Sequence, residues 1–148
     1  VAVKVFRGAH LSANTDNKKE LYKKRLFREY EVWGRVEHRN VLRLEGVFIC
    51  DILPSPGLVS EFKEHGDLLT FMQRKFTFDR LAMARDIACG LQYLHAQDVV
   101  HGDLTLPNIL VDVDRATGLY FPLITDFGKS RLYEKAGYTT EVNTTSLA

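Results

Sequence analysis

The chain has 148 residues, of which 45% are hydrophobic and 26% are charged, and its formal net charge is +1 at pH 7. This composition predicts a soluble globular protein, and the near-neutral charge argues against a dedicated nucleic-acid binder. No apolar run predicts a transmembrane helix, and no segment resembles a signal peptide. Cys50 and Cys89 fit free, buried thiols in a reducing compartment, with one disulfide as the alternative.

The first predicted element is a strand over residues 1–6, in which apolar side chains alternate with the others. Lys4 then shares one face with Ala2 and Phe6. A small residue beside an ammonium leaves room for a flat ring next to Ala2 and for phosphates near Lys4. The alternative is an edge-strand lysine that only faces water.

A helical pattern follows over about residues 18–37. The residues that recur at steps of three and four on one face are Tyr22, Leu26, Glu29, Trp33 and Val36. Glu29 is therefore a carboxylate within an apolar stripe, and a buried charge needs a partner. Lys4 is the natural candidate, and a surface pair with Arg25 is the alternative.

The rest of this helix is charged. Glu31 lies about 200° round the helix from Glu29, so we exclude it as the partner of Lys4. The basic residues are interleaved with glutamates, which favours a solvated face over a nucleic-acid or membrane patch. These basic residues are Lys18, Lys19, Lys23, Lys24, Arg25 and Arg28.

The middle of the chain predicts strands at 41–50 and 58–62, a turn at 51–57, a linker at 63–67 and a helix at 68–75. A second long helix is predicted over 78–97. Its predicted core face consists of Leu81, Ala84, Ala88, Leu91 and His95, with Ile87 and Leu94 beside it. Two short strands at 109–113 and 119–125 flank a hairpin turn, and Asp112 and Asp114 are interpreted as turn residues.

Residues 101–108 read HGDLTLPN, and residues 126–128 read DFG. Asp103 and Asn108 lie five residues apart in a loop, and the predicted hairpin returns the chain to Asp126 beside Asn108. Carboxylate and amide oxygens are ligands that magnesium prefers. This arrangement suits the binding of a divalent metal and a nucleoside triphosphate while an acceptor hydroxyl is oriented.

These motifs resemble those of the eukaryotic protein kinase family. HGDLTLPN is similar to the catalytic loop H-R-D-L-x-x-x-N, residues 126–128 match D-F-G, and residues 1–4, VAVK, are similar to V-A-I-K. Three motifs in the right order are far more specific than any one alone. The resemblance spans essentially the whole chain, but only the middle part of a kinase domain.

The resemblance implies an α+β fold of the truncated kinase-like, two-lobe type, with residues 1–148 as a partial kinase domain. The small-lobe remnant would occupy 1–62 as an incomplete β lobe with one helix. The hinge would lie at about 61–67. The first part of the helical large lobe would occupy 68–148.

The resemblance also implies ATP and Mg²⁺ as cofactors and a protein as substrate. Asp103 would orient the acceptor hydroxyl, and Asn108 and Asp126 would hold the metal. Lys4 would hold the α- and β-phosphates, with Glu29 fixing the lysine.

On the adenine side, Ala2 and Leu110 would line the nucleotide site. The carbonyl of Glu61 and the amide of Lys63 would meet the base, and Ser60 would guard the pocket behind it.

His101 and Phe127 would be packing residues that stack with Trp33 and Leu44. A catalytic role for His101 is therefore not expected.

Three positions depart from the family pattern. Gly102 replaces the arginine of H-R-D, so activation by a charged loop should be weak. Thr105 replaces the lysine of serine/threonine enzymes, and Pro107 stands where tyrosine enzymes often carry arginine. Neither catalytic-loop cation for the γ-phosphate is therefore present.

The sequence shows no glycine-rich loop before Lys4 and no A-P-E motif. The favoured function is transfer of phosphate from ATP to a serine or threonine hydroxyl of a protein, with tyrosine as the other acceptor. A pseudokinase scaffold and an inactive truncated product are the alternatives. The expected location is intracellular and cytoplasmic.

Overall fold

The computed structural model describes residues 1–5, 16–49, 56–74 and 77–133. The predictions that concern Phe6, Cys50, the side chain of Tyr22 and most of the turn at 51–57 lie outside this part. The described strands are β1 (Ala2–Lys4), β2 (Leu44–Phe48), β3 (Gly57–Ser60), β4 (Val99–Val100), β5 (Ile109–Val113), β6 (Tyr120–Ile124) and β7 (Arg131–Leu132). The described helices are α1 (Asp16–Trp33), α2 (Leu68–Gln73) and α3 (Arg80–Ala96), with 3₁₀ turns at Leu106–Asn108 and Phe127–Lys129.

The first three strands form an antiparallel sheet in the order β1-β3-β2. Ala2 lies opposite Ser60 and Lys4 lies opposite Leu58. Ala2 and Lys4 are half-buried on one face, whereas Val3 on the other face is exposed. The predicted alternation of β1 is therefore present, and it directs Lys4 away from the side that faces water.

The buried face of α1 is the one that the sequence predicts. Its buried side chains include Leu26, Glu29, Trp33 and, just beyond the helix end, Val36. The indole nitrogen of Trp33 donates a hydrogen bond of 2.6 Å to the carbonyl of Leu42. This bond fixes the ring where the chain leaves the helix, so that Trp33 belongs to the main core.

The β5–β6 hairpin is antiparallel, with Val111 opposite Pro122 and Ile109 opposite Ile124. Residues 40–42 run along the other edge of β6. The amide of Ile124 donates to the carbonyl of Asn40 at 2.9 Å, and the amide of Leu42 donates to the carbonyl of Ile124 at 2.9 Å. The hairpin is thus joined by backbone hydrogen bonds to the segment that follows α1.

The predicted core face of α3 is wrong in part. Leu94 is buried, and Leu91 and Ile87 are partly buried against the core clusters, but the other four predicted residues are exposed, and so is Cys89, which is predicted as a buried thiol. Leu81 is 80% exposed, and Ala84, Ala88 and His95 are exposed as well. The fully buried residues of α3 are Met83, Gly90 and Leu94.

Gly90 explains this orientation of α3. A Cβ at Gly90 would lie 2.9 Å from Cδ1 of Ile124 and 3.0 Å from the carbonyl oxygen of Asn40. The absent side chain lets α3 approach β6 closely, and this contact selects the buried face. The sequence of α3 has small or apolar residues on most of its faces. Periodicity alone therefore did not identify the face that is buried.

The predicted α+β class is confirmed. In the described part of the chain, no helix combines the length and the apolar character that crossing a bilayer requires. The intracellular location stays a prediction.

Candidate active site

Lys4 and Glu29 form the ion pair that the sequence predicts. Nζ of Lys4 lies 2.6 Å from Oε1 of Glu29, whose side chain is 0% exposed. Burial raises the pKa of Glu29, and the hydrogen bond and charge of Lys4 oppose this rise without cancelling it. The strand β1 and the helix α1 are therefore connected by a lysine that balances a buried acid.

Lys4 also contacts Asp126, the first residue of the DFG segment. The two atoms Nζ and Oδ1 are 2.8 Å apart. Burial lowers the pKa of the Lys4 ammonium, but the hydrogen bonds and charges of Asp126 and Glu29 outweigh it, and the pKa is raised. Burial likewise raises the pKa of Asp126, but Lys4 and the amide of Gly128 outweigh it, and this pKa is lowered. Lys4 and Asp126 therefore stay charged at neutral pH.

The backbone of Asp126 has a φ of 65°, a left-handed conformation that is uncommon for residues other than glycine. Its Oδ1 accepts a hydrogen bond of 3.2 Å from the amide of Gly128. This local bond caps the 3₁₀ turn at Phe127–Lys129. The chain thereby reverses just after β6 and presents the carboxylate of Asp126 to Lys4.

Asp103 and Asn108 are joined within their loop. Nδ2 of Asn108 donates a hydrogen bond of 2.9 Å to the carbonyl of Asp103. The carbonyl of Asn108 in turn accepts from the amide of Thr125 at 3.0 Å. Asn108 therefore ties the loop of Asp103 to the residue directly before Asp126.

Three aromatic rings in contact support this loop, with Trp33 stacked on Phe127 and His101 edge-on to Phe127. The ring centroids of Trp33 and Phe127 are 5.9 Å apart, and those of Phe127 and His101 are 5.3 Å apart. Nε2 of His101 lies 2.9 Å from the carbonyl oxygen of Thr125. Leu44 packs against the same core cluster. The predicted packing of His101 and Phe127 is confirmed.

The five predicted residues on the adenine side lie on strands or within three residues of the end of one. Ala2 and Leu110 are half-buried, and Ser60 is 6% exposed. Glu61 and Lys63 follow β3, and Asp67 forms an isolated bridge with Leu110. Ala2 and Ser60 are direct neighbours across β1 and β3.

The side chain of Lys63 makes contacts that the sequence analysis missed. Its Nζ lies 2.6 Å from Oε2 of Glu61 and 2.6 Å from Oδ2 of Asp112. Burial lowers the pKa of Lys63 and raises that of Asp112, but their mutual pairing outweighs burial in both, so the first is raised and the second lowered. The interpretation of Asp112 as a turn residue is wrong, because it lies within β5 and pairs with Lys63. Asp114 does cap the turn, through the amides of Ala116 and Thr117.

Lys129 is a second residue that the sequence analysis missed. Its Nζ lies 3.0 Å from Oδ2 of Asp103. No spacing in the sequence indicates this pair, because it depends on how residues 101–103 approach the turn after Phe127.

The donor atoms fit a magnesium ion. Nδ2 of Asn108 is engaged with Asp103 and Oδ1 of Asp126 with Lys4, so Oδ1 of Asn108 and Oδ2 of Asp126 are the oxygens that would hold the ion. Among the described residues, no three His, Cys, Asp or Glu side chains group as a metal cage. Two protein oxygens suit Mg²⁺, which keeps several waters and takes phosphate oxygens as further ligands.

The site thus combines a lysine–glutamate pair between a sheet and a helix with an Asp–Asn loop and a DFG turn. This is the arrangement of a kinase-type phosphotransferase site, in which positioned charges surround a transferring phosphate.

The family model described as protein tyrosine and serine/threonine kinase matches residues 1–148. The chain belongs to this family, and its fold is the α+β fold of a partial kinase domain.

Among curated proteins, the chain is similar to Ephrin type-A receptor 3 of Danio rerio, with 39% identity over 119 residues, which cover 76% of this chain and 11% of that protein. It is 33% identical over 139 residues to human Ephrin type-B receptor 4, and the match covers 91% of this chain and 13% of that protein. It is 36% identical over 120 residues to Ephrin type-A receptor 8 of Rattus norvegicus, and the match covers 76% of this chain and 30% of that protein. The chain therefore spans less than a third of the length of each of these relatives.

Proposed function

We propose that this chain carries the catalytic groups of a protein kinase that uses ATP and Mg²⁺. The acceptor would be a serine or threonine hydroxyl of a protein, with tyrosine as the alternative, because the family description includes both. The observation that carries the proposal is the double ion pair of Lys4 with Glu29 and Asp126. Residues 1–62 would form the small-lobe part, about 61–67 the hinge, and 68–148 the large-lobe part.

The nucleotide would lie between the small sheet and the β5–β6 hairpin. Ala2 and Leu110 would contact the adenine ring, while the carbonyl of Glu61 and the amide of Lys63 would pair with its edge. Lys4 would reach the α- and β-phosphates. Its side chain is 35% exposed, so the ammonium can contact an anion while Glu29 still balances its charge.

Asn108 and Asp126 would hold Mg²⁺ through the oxygens that the protein contacts leave open. Bound there, the ion would neutralise charge on the phosphate oxygens. Asp126 remains a carboxylate at neutral pH because its pKa is lowered. The hydrogen bond from Asn108 to the Asp103 carbonyl holds the loop together, and the amide oxygen of Asn108 would be left to bind the metal.

Asp103 would accept a hydrogen bond from the acceptor hydroxyl and direct its oxygen at the γ-phosphorus. A bond forms between this oxygen and phosphorus, and the bond from phosphorus to the β–γ bridging oxygen breaks. The electron pair of the broken bond leaves with ADP, and the hydroxyl proton passes to the Asp103 carboxylate. Side-chain general bases of this kind contribute about 10²- to 10⁴-fold to the rate.

The test is phosphate incorporation from ATP by the complete protein into peptides with serine, threonine or tyrosine as the sole acceptor. Asp103→Asn should lower incorporation by roughly 10³-fold, because it removes the proton acceptor. Asp86→Asn is the matched control, since Asp86 pairs with Arg85 on the surface of α3. Undiminished incorporation in Asp103→Asn would contradict the assignment, and the preferred peptide identifies the acceptor.

A pseudokinase scaffold is the second candidate, because Thr105 and Pro107 place no charge in the catalytic-type loop. A magnesium-dependent thermal shift with ATP, without incorporation into any of the three peptides, would establish this candidate. The absence of any shift at saturating ATP would instead indicate an inert product.

A further inference from the structure

Lys129 is placed where the catalytic-type loop lacks a cation. Its Nζ lies 3.0 Å from the carboxylate of Asp103, whereas Thr105 and Pro107 are uncharged. The Lys129 side chain is 69% exposed and that of Asp103 is 31% exposed. An ion pair this open to water adds little to folding stability, so Lys129 can take a further anion as a partner at little cost.

The backbone directly after Lys129 is held against residues 100–101, which lead into the loop of Asp103. The buried hydroxyl of Ser130 donates a hydrogen bond of 3.0 Å to the carbonyl of His101. Arg131 pairs with Val100 across β4 and β7. The backbone from which the lysine side chain projects is therefore fixed, while the side chain itself is 69% exposed.

Gly102 makes this approach sterically allowed. Its φ is 77°, and a Cβ there would lie 2.6 Å from the carbonyl oxygen of Lys129. A residue with a side chain would push the two segments apart. The same position that loses the arginine of the family pattern thereby admits Lys129 to the side of Asp103.

We propose that Lys129 is the cation that contacts the γ-phosphate, in place of the missing side chains at positions 105 and 107. This inference rests on the proposed function, in which Asp103 marks the position of the acceptor hydroxyl. An ammonium has three N–H donors, so Lys129 can hold Asp103 and a phosphate oxygen together. Lys129 would thereby bring a positive charge to the point where the γ-phosphate meets the acceptor hydroxyl.

The test compares the affinities of the complete protein for ATP and ADP in the presence of magnesium, by calorimetry. Lys129→Ala should weaken ATP binding roughly tenfold and leave ADP binding within about twofold, because only ATP carries the contacted phosphate. Lys24→Ala, at an exposed lysine of α1, is the matched control and should change neither affinity.

A relocated charge separates this role from simple damage to the fold. The double variant Lys129→Ala/Thr105→Lys puts the ammonium at the position that serine/threonine enzymes use, and it should restore both the preference for ATP and the phosphate incorporation. Lys129→Arg should keep most of the preference. Equal losses for ATP and ADP, or no recovery in the double variant, would overturn the assignment.

Two further outcomes are distinct. If Lys129→Ala raises incorporation, Lys129 masks Asp103 instead of serving the phosphate, and the assignment is wrong while the proposed function stands. If the unsubstituted protein binds neither nucleotide, the proposed function itself fails. If it binds ATP no more tightly than ADP, the γ-phosphate has no protein contact and the Lys129 assignment fails alone.

Discussion

Two lysines of this chain each lie between two carboxylates, yet they differ in which partner is buried. In the nucleotide-side cluster, Lys4 is 35% exposed and contacts Glu29, which is 0% exposed, and Asp126, which is 43% exposed. The buried group of this cluster is therefore an acid, and the cation faces outward.

The second cluster consists of Lys63, Glu61 and Asp112, and we call it the hinge-side cluster after the hinge proposed at about 61–67. Its burial is the reverse of that in the nucleotide-side cluster. Lys63 is only 8% exposed, while its partners Glu61 and Asp112 are 67% and 28% exposed. Here the cation is enclosed and the acids face outward. Contacts of 2.6 to 2.8 Å are common to both clusters, so distance alone does not separate their roles.

Burial decides what each lysine can do. An exposed ammonium can take a phosphate as an additional partner, because water already reaches it. An enclosed ammonium cannot gain a partner without losing one, so Lys63 acts as a clamp between the segment that follows β3 and strand β5. The nucleotide-side cluster is suited to binding, and the hinge-side cluster to holding two segments together.

The largest effect is expected for Lys4→Met. This change leaves Glu29 buried without its cation, which should lower the free energy of unfolding by about 3 kcal/mol. Phosphate incorporation should fall by roughly 10²-fold or more, because the phosphates lose their charge contact. Urea unfolding and peptide phosphorylation of the complete protein measure the two effects.

The double variant Lys4→Met/Glu29→Gln is the control for this prediction. A neutral amide needs no cation, so most of the lost stability should return while incorporation stays low. If incorporation returned as well, Lys4 would not be a phosphate ligand.

A smaller, purely structural effect is expected for Asp112→Asn. Among the described residues, Lys63 would then keep only Glu61 as a charged partner, and the free energy of unfolding should fall by about 1–2 kcal/mol. Incorporation should stay within about twofold, because Asp112 does not take part in the transfer. A large loss of incorporation with unchanged stability would show that the hinge-side cluster is not merely a clamp.

The buried acid of the nucleotide-side cluster and Asp112 of the hinge-side cluster should also change the stability in opposite directions as the pH is lowered. The pKa of Asp112 is lowered from its ordinary 3.8, so the folded state binds fewer protons, and this stabilisation is present above 3.8 and is lost as pH falls through the lowered value. The pKa of Glu29 is raised from 4.5, so its contribution has the opposite sign and stability declines as pH rises above 4.5.

Urea titrations from below pH 3.8 to above pH 4.5 check this difference. Asp112→Asn should remove part of the rise of stability at the acid end. Glu29→Gln should remove part of the decline above the ordinary pKa of glutamate. Identical pH profiles for the two variants would show that burial does not distinguish the clusters.

The smallest effect is expected for Arg35→Ala. Arg35 and Glu31 pair at 2.8 Å, four residues apart, and their side chains are 58% and 59% exposed. Such pairs contribute about 0.3–0.5 kcal/mol. This variant gives the baseline for an ion pair with neither partner buried, and a loss as large as that of Asp112→Asn would contradict the importance of burial.

The sequence predicted the parts of the site that depend on local periodicity. Glu29 stood out because a carboxylate interrupts an apolar stripe, and its contact with Lys4 is present. The β5–β6 hairpin was predicted because turn residues separate two apolar runs. The hairpin returns the chain to Asn108, because the amide of Thr125, directly before Asp126, donates a hydrogen bond to the carbonyl of Asn108.

The parts that could not be predicted depend on contacts between segments far apart in sequence. The buried face of α3 follows from the close approach at Gly90, which periodicity does not reveal. The contact of Lys129 with Asp103 needs the positive φ of Gly102, and Lys63 reaches Asp112 across 49 residues. The domain boundaries and the roles of the site residues stay predictions.

The joining of residues 40–42 to β6 has a consequence for how the protein opens. Nδ2 of the Asn40 side chain donates a hydrogen bond of 3.1 Å to the carbonyl of Pro122, 82 residues away. The two backbone hydrogen bonds made by Leu42 and Ile124 lie next to it. Neither segment can separate without breaking all three bonds. In hydrogen–deuterium exchange, the amides of Leu42 and Ile124 should therefore give the same free energy of opening, as members of a single cooperative unit.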